Sequence, residues 1–462
     1  MNRIIRVTCL ALVLILILPS VFGCFKRGGA VDTQPDTSET QADTNETQQD
    51  TNDTQVEAPT IPVTINGVAL TEYTIVYSRK SITGAEKAAK YLNQELKTLC
   101  GAELAVTANS KDRPEILLGL DGDDATIAAA YSENSAGIIG TTGKKIVLQG
   151  STYTALCRLI DAFLAKATGD ESGMSISVDA CEAPNISKAS LKVMSYNVLR
   201  DLSKPGRPAD AREQMVATIL ENDIDVFGTQ EDGSENHDAF ISLLGGSYSS
   251  YKGVLDARDT GNYIYWKTEK FDLVKSGYFY LSNTPGTRTK YSDSTQYRTL
   301  SYVILKEKLT AKQFLFVDVH LDYRASEATR IKQITVLGDL IGKINNDGLP
   351  VIVLGDFNTL PTNNSGAISK FLSSNPEFVH TSKISEKKGD TGETLVSQDD
   401  FATRYLGAYD NIFVTVDNVY TEYFTVVDNF KEVEEVDELG EVKTVKKYPS
   451  DHLPVMAEVD IY

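Results

Sequence analysis

The chain has 462 residues, with 45 Lys and Arg against 64 Asp and Glu, a formal net charge of −19. That balance lacks the basic footprint usual for tight duplex binding, and the length exceeds one ordinary domain. Of the five cysteines, Cys9 and Cys24 fall in the leader described next, so at most one disulfide can form and the fold has to rest on buried apolar surface.

The leader is a basic start, Met1-Asn-Arg-Ile-Ile-Arg, then an apolar run over 7–22, closed by Val21-Phe-Gly-Cys24. This resembles a bacterial lipoprotein signal: residues 1–23 would be removed and Cys24 diacylated, which anchors the protein to the outer face of a membrane. Ordinary cleavage to a secreted protein is the alternative. The run is shorter than the ~20 residues a spanning helix needs. Residues 24–60 contain three imperfect copies of a seven-residue Asp/Thr/Gln unit without aromatic or basic residues. Such a segment cannot bury enough apolar surface to fold, so a disordered tether on the order of 120 Å at full extension is expected.

A first folded domain is expected over 61–183. Helical periodicity at 84–99 and 152–167 alternates with strand-like runs at 73–77, 115–118 and 138–148, the last split by a Gly-Lys turn, so it reads as α/β. It carries no convergent polar motif. Through Ile65-Asn-Gly-Val and Glu115-Ile-Leu-Leu-Gly it resembles the accessory domains that precede some carbohydrate-active catalytic domains. The expectation is a spacer or docking role, with glycan binding as the alternative.

From residue 189 onward, short β-branched or aromatic runs end in polar motifs. In chain order these are Ser195-Tyr196-Asn197, Thr229-Gln230-Glu231, Val319-His320-Leu321-Asp322, Gly355-Asp356-Phe357-Asn358, Tyr409-Asp410-Asn411 and Ser450-Asp451-His452. A polar side chain at a strand end sits on a rigid element yet points out of the core, so several strand ends can converge on one pocket. Glu231, Asp356 and Asp451 are hard oxygen ligands, Asn197 and Asn358 neutral ones, and no cysteine lies in this region. That donor set suits magnesium, manganese or calcium better than zinc. Of four histidines, His320 and His452 stand in acidic motifs and can move protons. His237 and His380 read as structural, and Tyr263, Tyr265 and Trp266 as core.

The six motifs resemble those of the endonuclease/exonuclease/phosphatase superfamily over 189–462. The resemblance implies a four-layer α/β/β/α sandwich of the deoxyribonuclease-I type behind the small α/β domain. It also implies a metal-dependent phosphoesterase working by in-line attack of water, with metal and imidazolium groups neutralising the developing charge. Asn197 and Glu231 would hold Mg²⁺ (or Mn²⁺, with Ca²⁺ also open), with Asp451 as a further ligand. His320 would contact the phosphate, Asp356 and Asn358 would orient water and phosphate, and Asp410 would orient the general base His452. Arg298 resembles a phosphate-facing arginine, and Tyr263-Ile-Tyr-Trp the family's aromatic strand, continued by 276–282. Where relatives place a glutamate supporting the strand-end histidine, this chain has Thr260, with Asp259 beside it.

Charge bears on the substrate. The 191–462 region carries 41 acids against 29 bases, and 428–441 alone has seven acids and one Lys. An acidic hairpin at the mouth of the site would repel a polyanion, which places small phosphodiesters, phosphomonoesters and lipid head groups ahead of duplex DNA. No protein partner is implied. The alternative reading is a non-catalytic surface binding protein on the same scaffold, recognising a glycan or phosphoester.

Overall fold

The β-branched runs form two sheets that face each other. In the first, the strands lie in the order Tyr248–Lys252, Gly261–Lys267, Val226–Asp232, Ala189–Asn197, Val455–Ile461, Val419–Val426 and Lys387–Lys388. The second runs Phe271–Tyr280, Thr299–Glu307, Gln313–His320, Val351–Asp356, Asp410–Thr415 and Phe378–His380. The inward side chains of both, among them Val193, Ile264, Trp266, Phe314, Phe316, Ile352, Leu354, Ile412 and Val455, make one buried core. Central strands covered on both faces read as near-continuous apolar runs.

Helices close the outer faces. Ala211–Glu221 and Ser234–Leu243 cover the first sheet through Met215, Ile219 and Phe240. Glu327–Ile344 and Ala367–Ser374 cover the second through Ile334, Leu337, Ile341 and Phe371. The result is a four-layer α/β/β/α sandwich. One expectation changes: the aromatic strand and its continuation lie in different sheets, because the chain crosses over between Lys267 and Phe271.

This computed structural model describes residues 61–78, 82, 84–119, 125–133, 136–253, 261–405, 407–436 and 440–462. The leader, Cys24, the 24–60 tether, Asp259 and Thr260 lie outside the described residues.

Ahead of the sandwich, a six-stranded sheet takes Glu115–Leu118 at its centre, parallel to Thr74–Tyr77 and Lys145–Gly150. Helix Ala85–Cys100 buries Ala88, Ala89, Leu92 and Leu96 against it at helical spacing. It ends at Gly101, whose φ of 73° lets its N–H close on the Lys97 carbonyl. Helix Tyr153–Leu164 starts where the Thr152 hydroxyl accepts from Ala155 N at 3.0 Å. Both regions belong to one compact unit. Tyr462, the last residue, packs into the core of the first region, and its hydroxyl lies 2.9 Å from Ser151 Oγ. Cys157 is a free thiol.

Candidate active site

Strand register brings the motifs together. Asn197 stands opposite Gln230 across a parallel pair, His320 opposite Asp356 across another, and Asp356 opposite Asp410 across an antiparallel one. Gly355 permits the pairing of His320 with Asp356. It lies at φ 147°, and a methyl group there would overlap the Val319 carbonyl oxygen on the neighbouring strand. Glu231 sits at φ 55° where the ladder is interrupted between Thr229 and Asp232, and Asn358 lies at φ 48°. Asparagine tolerates that backbone, whereas for glutamate it costs about 1–2 kcal/mol. The bulge re-aims Glu231 from the sheet toward the cleft.

Asn197 Nδ2 lies 3.4 Å from Glu231 Oε1 and 3.2 Å from Asp356 Oδ2, while its Oδ1 accepts from Leu199 N at 3.1 Å. Asp356 Oδ1 accepts from Asn358 N at 2.9 Å, and Asn358 Nδ2 donates to the Leu321 carbonyl at 3.1 Å. His452 Nδ1 is 2.8 Å from Asp410 Oδ2, and its Nε2 faces Asp356 Oδ2 at 3.8 Å. His320 Nε2 approaches the same Asp356 oxygen at 3.4 Å, and its Nδ1 lies 3.1 Å from the Arg298 guanidinium. Asp451 is set slightly apart. Its carboxylate takes the Gln398 amide and lies 3.4 Å from Ser450 Oγ, which donates to the Asn197 carbonyl at 2.7 Å.

Burial raises Asp356 to about 7, against the opposing pull of His452. Burial by itself would lower His452, but the Asp410 and Asp356 carboxylates outweigh it and hold the imidazole well above its ordinary value. His320 goes the other way, driven well below its ordinary value by burial, by Arg298 and by His452. That direction favours the neutral ring at His320 and leaves the positive charge on that side to Arg298.

The carboxylates of Glu231, Asp356, Asp410 and Asp451 gather here against the cations of Arg298 and His452, which suits a hard divalent ion. Asp356, Asp410 and His452 offer ligand atoms within 4.8 Å of one another. His452 Nδ1 is already bonded to Asp410, however, so this trio works better as a hydrogen-bonded chain. Glu231 offers an oxygen to the ion, and Asn197 would add its own once its amide flips from the present orientation, in which Nδ2 faces the carboxylates and Oδ1 accepts from Leu199 N.

A family description, "Endonuclease/Exonuclease/phosphatase family", matches residues 194–452, more than half of the chain. The chain belongs to this family. It is accordingly a hydrolase acting on phosphate ester bonds. A family member from Bacteroides thetaiotaomicron of solved structure is 24% identical, covering 60% of this chain and 100% of its own, with a TM-score of 0.50. The mannosyl-6-phosphatase of Bacteroides thetaiotaomicron VPI-5482 is also 24% identical, over 58% of this chain and 99% of its own, with a TM-score of 0.49. The human nocturnin catalytic domain is 20% identical over 59% and 95%, with a TM-score of 0.43. Among curated proteins, none is similar enough in sequence to count as a relative.

In this family member the motifs open onto a cleft of about 810 Å³ lined by Glu231, Arg298, Asp356, Asn358, Asp451 and His452, and by loop residues 199–204. Tyr323, Arg324, Gln296, Glu235 and Gln398 complete its wall. Contrary to expectation, no described residue of the acidic 428–441 segment lines it. That segment forms a hairpin, Lys431–Val436 against Val442–Lys447, whose acids meet bases close by: Glu435 with Lys447 at 2.8 Å and Asp428 with Lys446 at 3.8 Å.

Sequence reasoning passed over Arg207. Its buried guanidinium donates to the carbonyls of Val198, Leu199, Asp201 and Pro449 at 2.7–3.0 Å, tying the cleft loop to the turn that carries Asp451 and His452. Nothing in its sequence neighbourhood signals this, because carbonyl acceptors have no residue signature. His237 and His380 are structural, as expected: they bond Ser250 at 2.9 Å and Asn411 at 2.8 Å. Tyr263, Tyr265 and Trp266 are buried.

Proposed function

We propose that this hydrolase is a divalent-metal-dependent phosphoesterase in which His452 is the general base. The observation that carries the reading is the chain from Asp410 through His452 to Asp356, built into the same cleft as Glu231 and Arg298. Glu231, Asn197 and Asp451 would hold the ion, which when bound supplies Lewis-acid polarisation of the phosphoryl oxygen.

The chain's own residues account for the rest. Asp410 accepts a hydrogen bond from Nδ1 of His452 and so directs Nε2 toward the cleft, where the ring, once it has shed its second proton, takes one from the attacking water. Asp356 and Asn358, locked to each other through Asn358 N, orient water and phosphate for in-line displacement. Arg298 and the His320 N–H meet the charge that develops on the phosphoryl oxygens. The wall mixes Arg200, Lys204 and Arg324 with Asp201 and Glu235, which supports small phosphodiesters, phosphomonoesters or lipid head groups over duplex nucleic acid. We further propose that residues 61–183 act as a spacer or docking domain, and that acylated Cys24 and the 24–60 tether hold the enzyme outside a bacterial membrane.

The test is hydrolysis of bis(p-nitrophenyl) phosphate and p-nitrophenyl phosphate by the full chain with Mg²⁺ or Mn²⁺, beside His452→Ala and a chelator control. Release that needs the metal and disappears in the variant is expected. Release that survives both would overturn the proposed mechanism, and the diester-to-monoester ratio directs the search for the substrate.

A further inference from the structure

Arg298 stands immediately before strand Thr299–Glu307, whose antiparallel pairing sets Leu300 opposite Val319. That register brings its side chain alongside His320, the last residue of the neighbouring strand. Both side chains are buried, and one terminal guanidinium nitrogen lies 3.1 Å from His320 Nδ1. A guanidinium has donors only and does not deprotonate in proteins. In this contact Nδ1 must therefore accept, and a ring nitrogen that accepts carries no proton. The single proton of the neutral ring is then on Nε2, which faces Asp356 Oδ2 at 3.4 Å.

We propose that Arg298, besides facing the substrate, is a positioning residue that locks His320 in the neutral Nε2–H tautomer. The ring is thereby a fixed hydrogen-bond donor aimed at Asp356, which lines the cleft. It neither removes a proton from water nor brings a positive charge; the guanidinium behind it supplies the charge. The two histidines of the site thus differ at Nδ1: His452 donates a hydrogen bond from Nδ1 to Asp410, whereas His320 accepts at Nδ1 and carries its proton on Nε2. The guanidinium Nε is buried without a hydrogen-bond partner among the described residues, so the contact with the ring is the polar anchor that holds Arg298 in place. The consequence for turnover rests on the phosphoesterase reading above, but the tautomer does not.

The experiment is a long-range ¹H–¹⁵N correlation spectrum of the full chain labelled at its four histidines, recorded without substrate and assigned with His320→Gln. His320 is expected to show a protonated Nε2 and a bare Nδ1. Arg298→Met should convert that signature to mixed tautomers or an imidazolium, while Arg298→Lys, which keeps a donor, should preserve it. In parallel, kcat should fall about tenfold or more in Arg298→Met and recover in part in Arg298→Lys. An Nδ1–H or imidazolium signature for His320 in the unmodified protein sinks the proposal. So does an unchanged tautomer in an Arg298→Met protein whose other three histidine signals stay in place. Because the spectrum needs no substrate, it gives its answer even if the protein proves inactive on phosphate esters.

Discussion

Glu115, in the region ahead of the sandwich, and Asp410, behind His452 at the candidate site, are both buried carboxylates in polar surroundings, yet they are satisfied to different degrees. Glu115 accepts from Ser110 Oγ at 2.7 Å on one oxygen and from Lys111 N at 2.6 Å on the other, with Lys145 Nζ at 3.3 Å. Its work is to anchor a loop. At the candidate site, Asp410 Oδ1, His320 Nε2 and Arg298 Nε are buried without a hydrogen-bond partner among the described residues. Polar atoms left in that condition cost stability and persist where a reaction uses them. The same condition recurs away from the site, at Glu182 Oε1 in the first region and Asp318 Oδ2 in the sandwich, so it marks a working charge only together with a place beside the cleft.

Substitutions should break the two regions differently. The largest effect is expected at the cleft: His452→Ala should lower kcat/KM on bis(p-nitrophenyl) phosphate by about 10³-fold, and Asp410→Asn by about 10²-fold, with circular dichroism unchanged. Glu115→Gln should leave turnover alone and lower stability by about 1–2 kcal/mol, read as a denaturation midpoint. A loss of turnover at constant fold in that variant would erase the distinction.

Arg207→Met is the intermediate case, since the clamp is structural yet touches the loop and turn that frame the cleft. Turnover should fall about tenfold and stability by about 1–3 kcal/mol, because four carbonyls lose their donor; equal effects on the two readouts are not required, but an effect on neither would remove the clamp from the site.

A smaller, pH-dependent effect is expected at Asp232, pushed up to about 7 by burial although Tyr265 and Thr229 donate to it. The folded state holds this proton more tightly than the unfolded chain does. The stability it contributes is complete below pH ~4 and is lost as pH rises through about 7. Asp232→Asn should therefore raise the melting temperature at pH 8, by about 2–4 °C, and hardly change it at pH 4. A larger gain at pH 4 would reverse the assignment. The smallest effect belongs to the acidic hairpin: deleting 428–441 should alter the salt dependence of any activity on DNA by less than about twofold, since its described residues stay off the cleft wall.

Much of this was legible in the chain. Alternating and β-branched runs mark the strands because a buried strand needs them on both faces, and the polar residues that end these runs either line the cleft, as Glu231, Asp356 and His452 do, or contact those that do, as Asn197, His320 and Asp410 do. The same periodicity located helices Ala85–Cys100 and Tyr153–Leu164 to within a few residues. The pairing of Asp410 with His452 came from resemblance, and the 2.8 Å contact agrees with it.

By itself, then, the order of residues determined the elements and the donor atoms at their ends, since both depend on local period and residue chemistry. Tertiary structure decided which donors meet. Asn197 and Asp356 are 159 residues apart and come within 3.2 Å only because two sheets stack. Whether His320 accepts or donates follows from the register that sets Arg298 beside it, and whether 428–441 repels a substrate follows from where its hairpin points. Those are properties of long-range pairing, in which the same side chain takes opposite roles according to the partner that packing supplies.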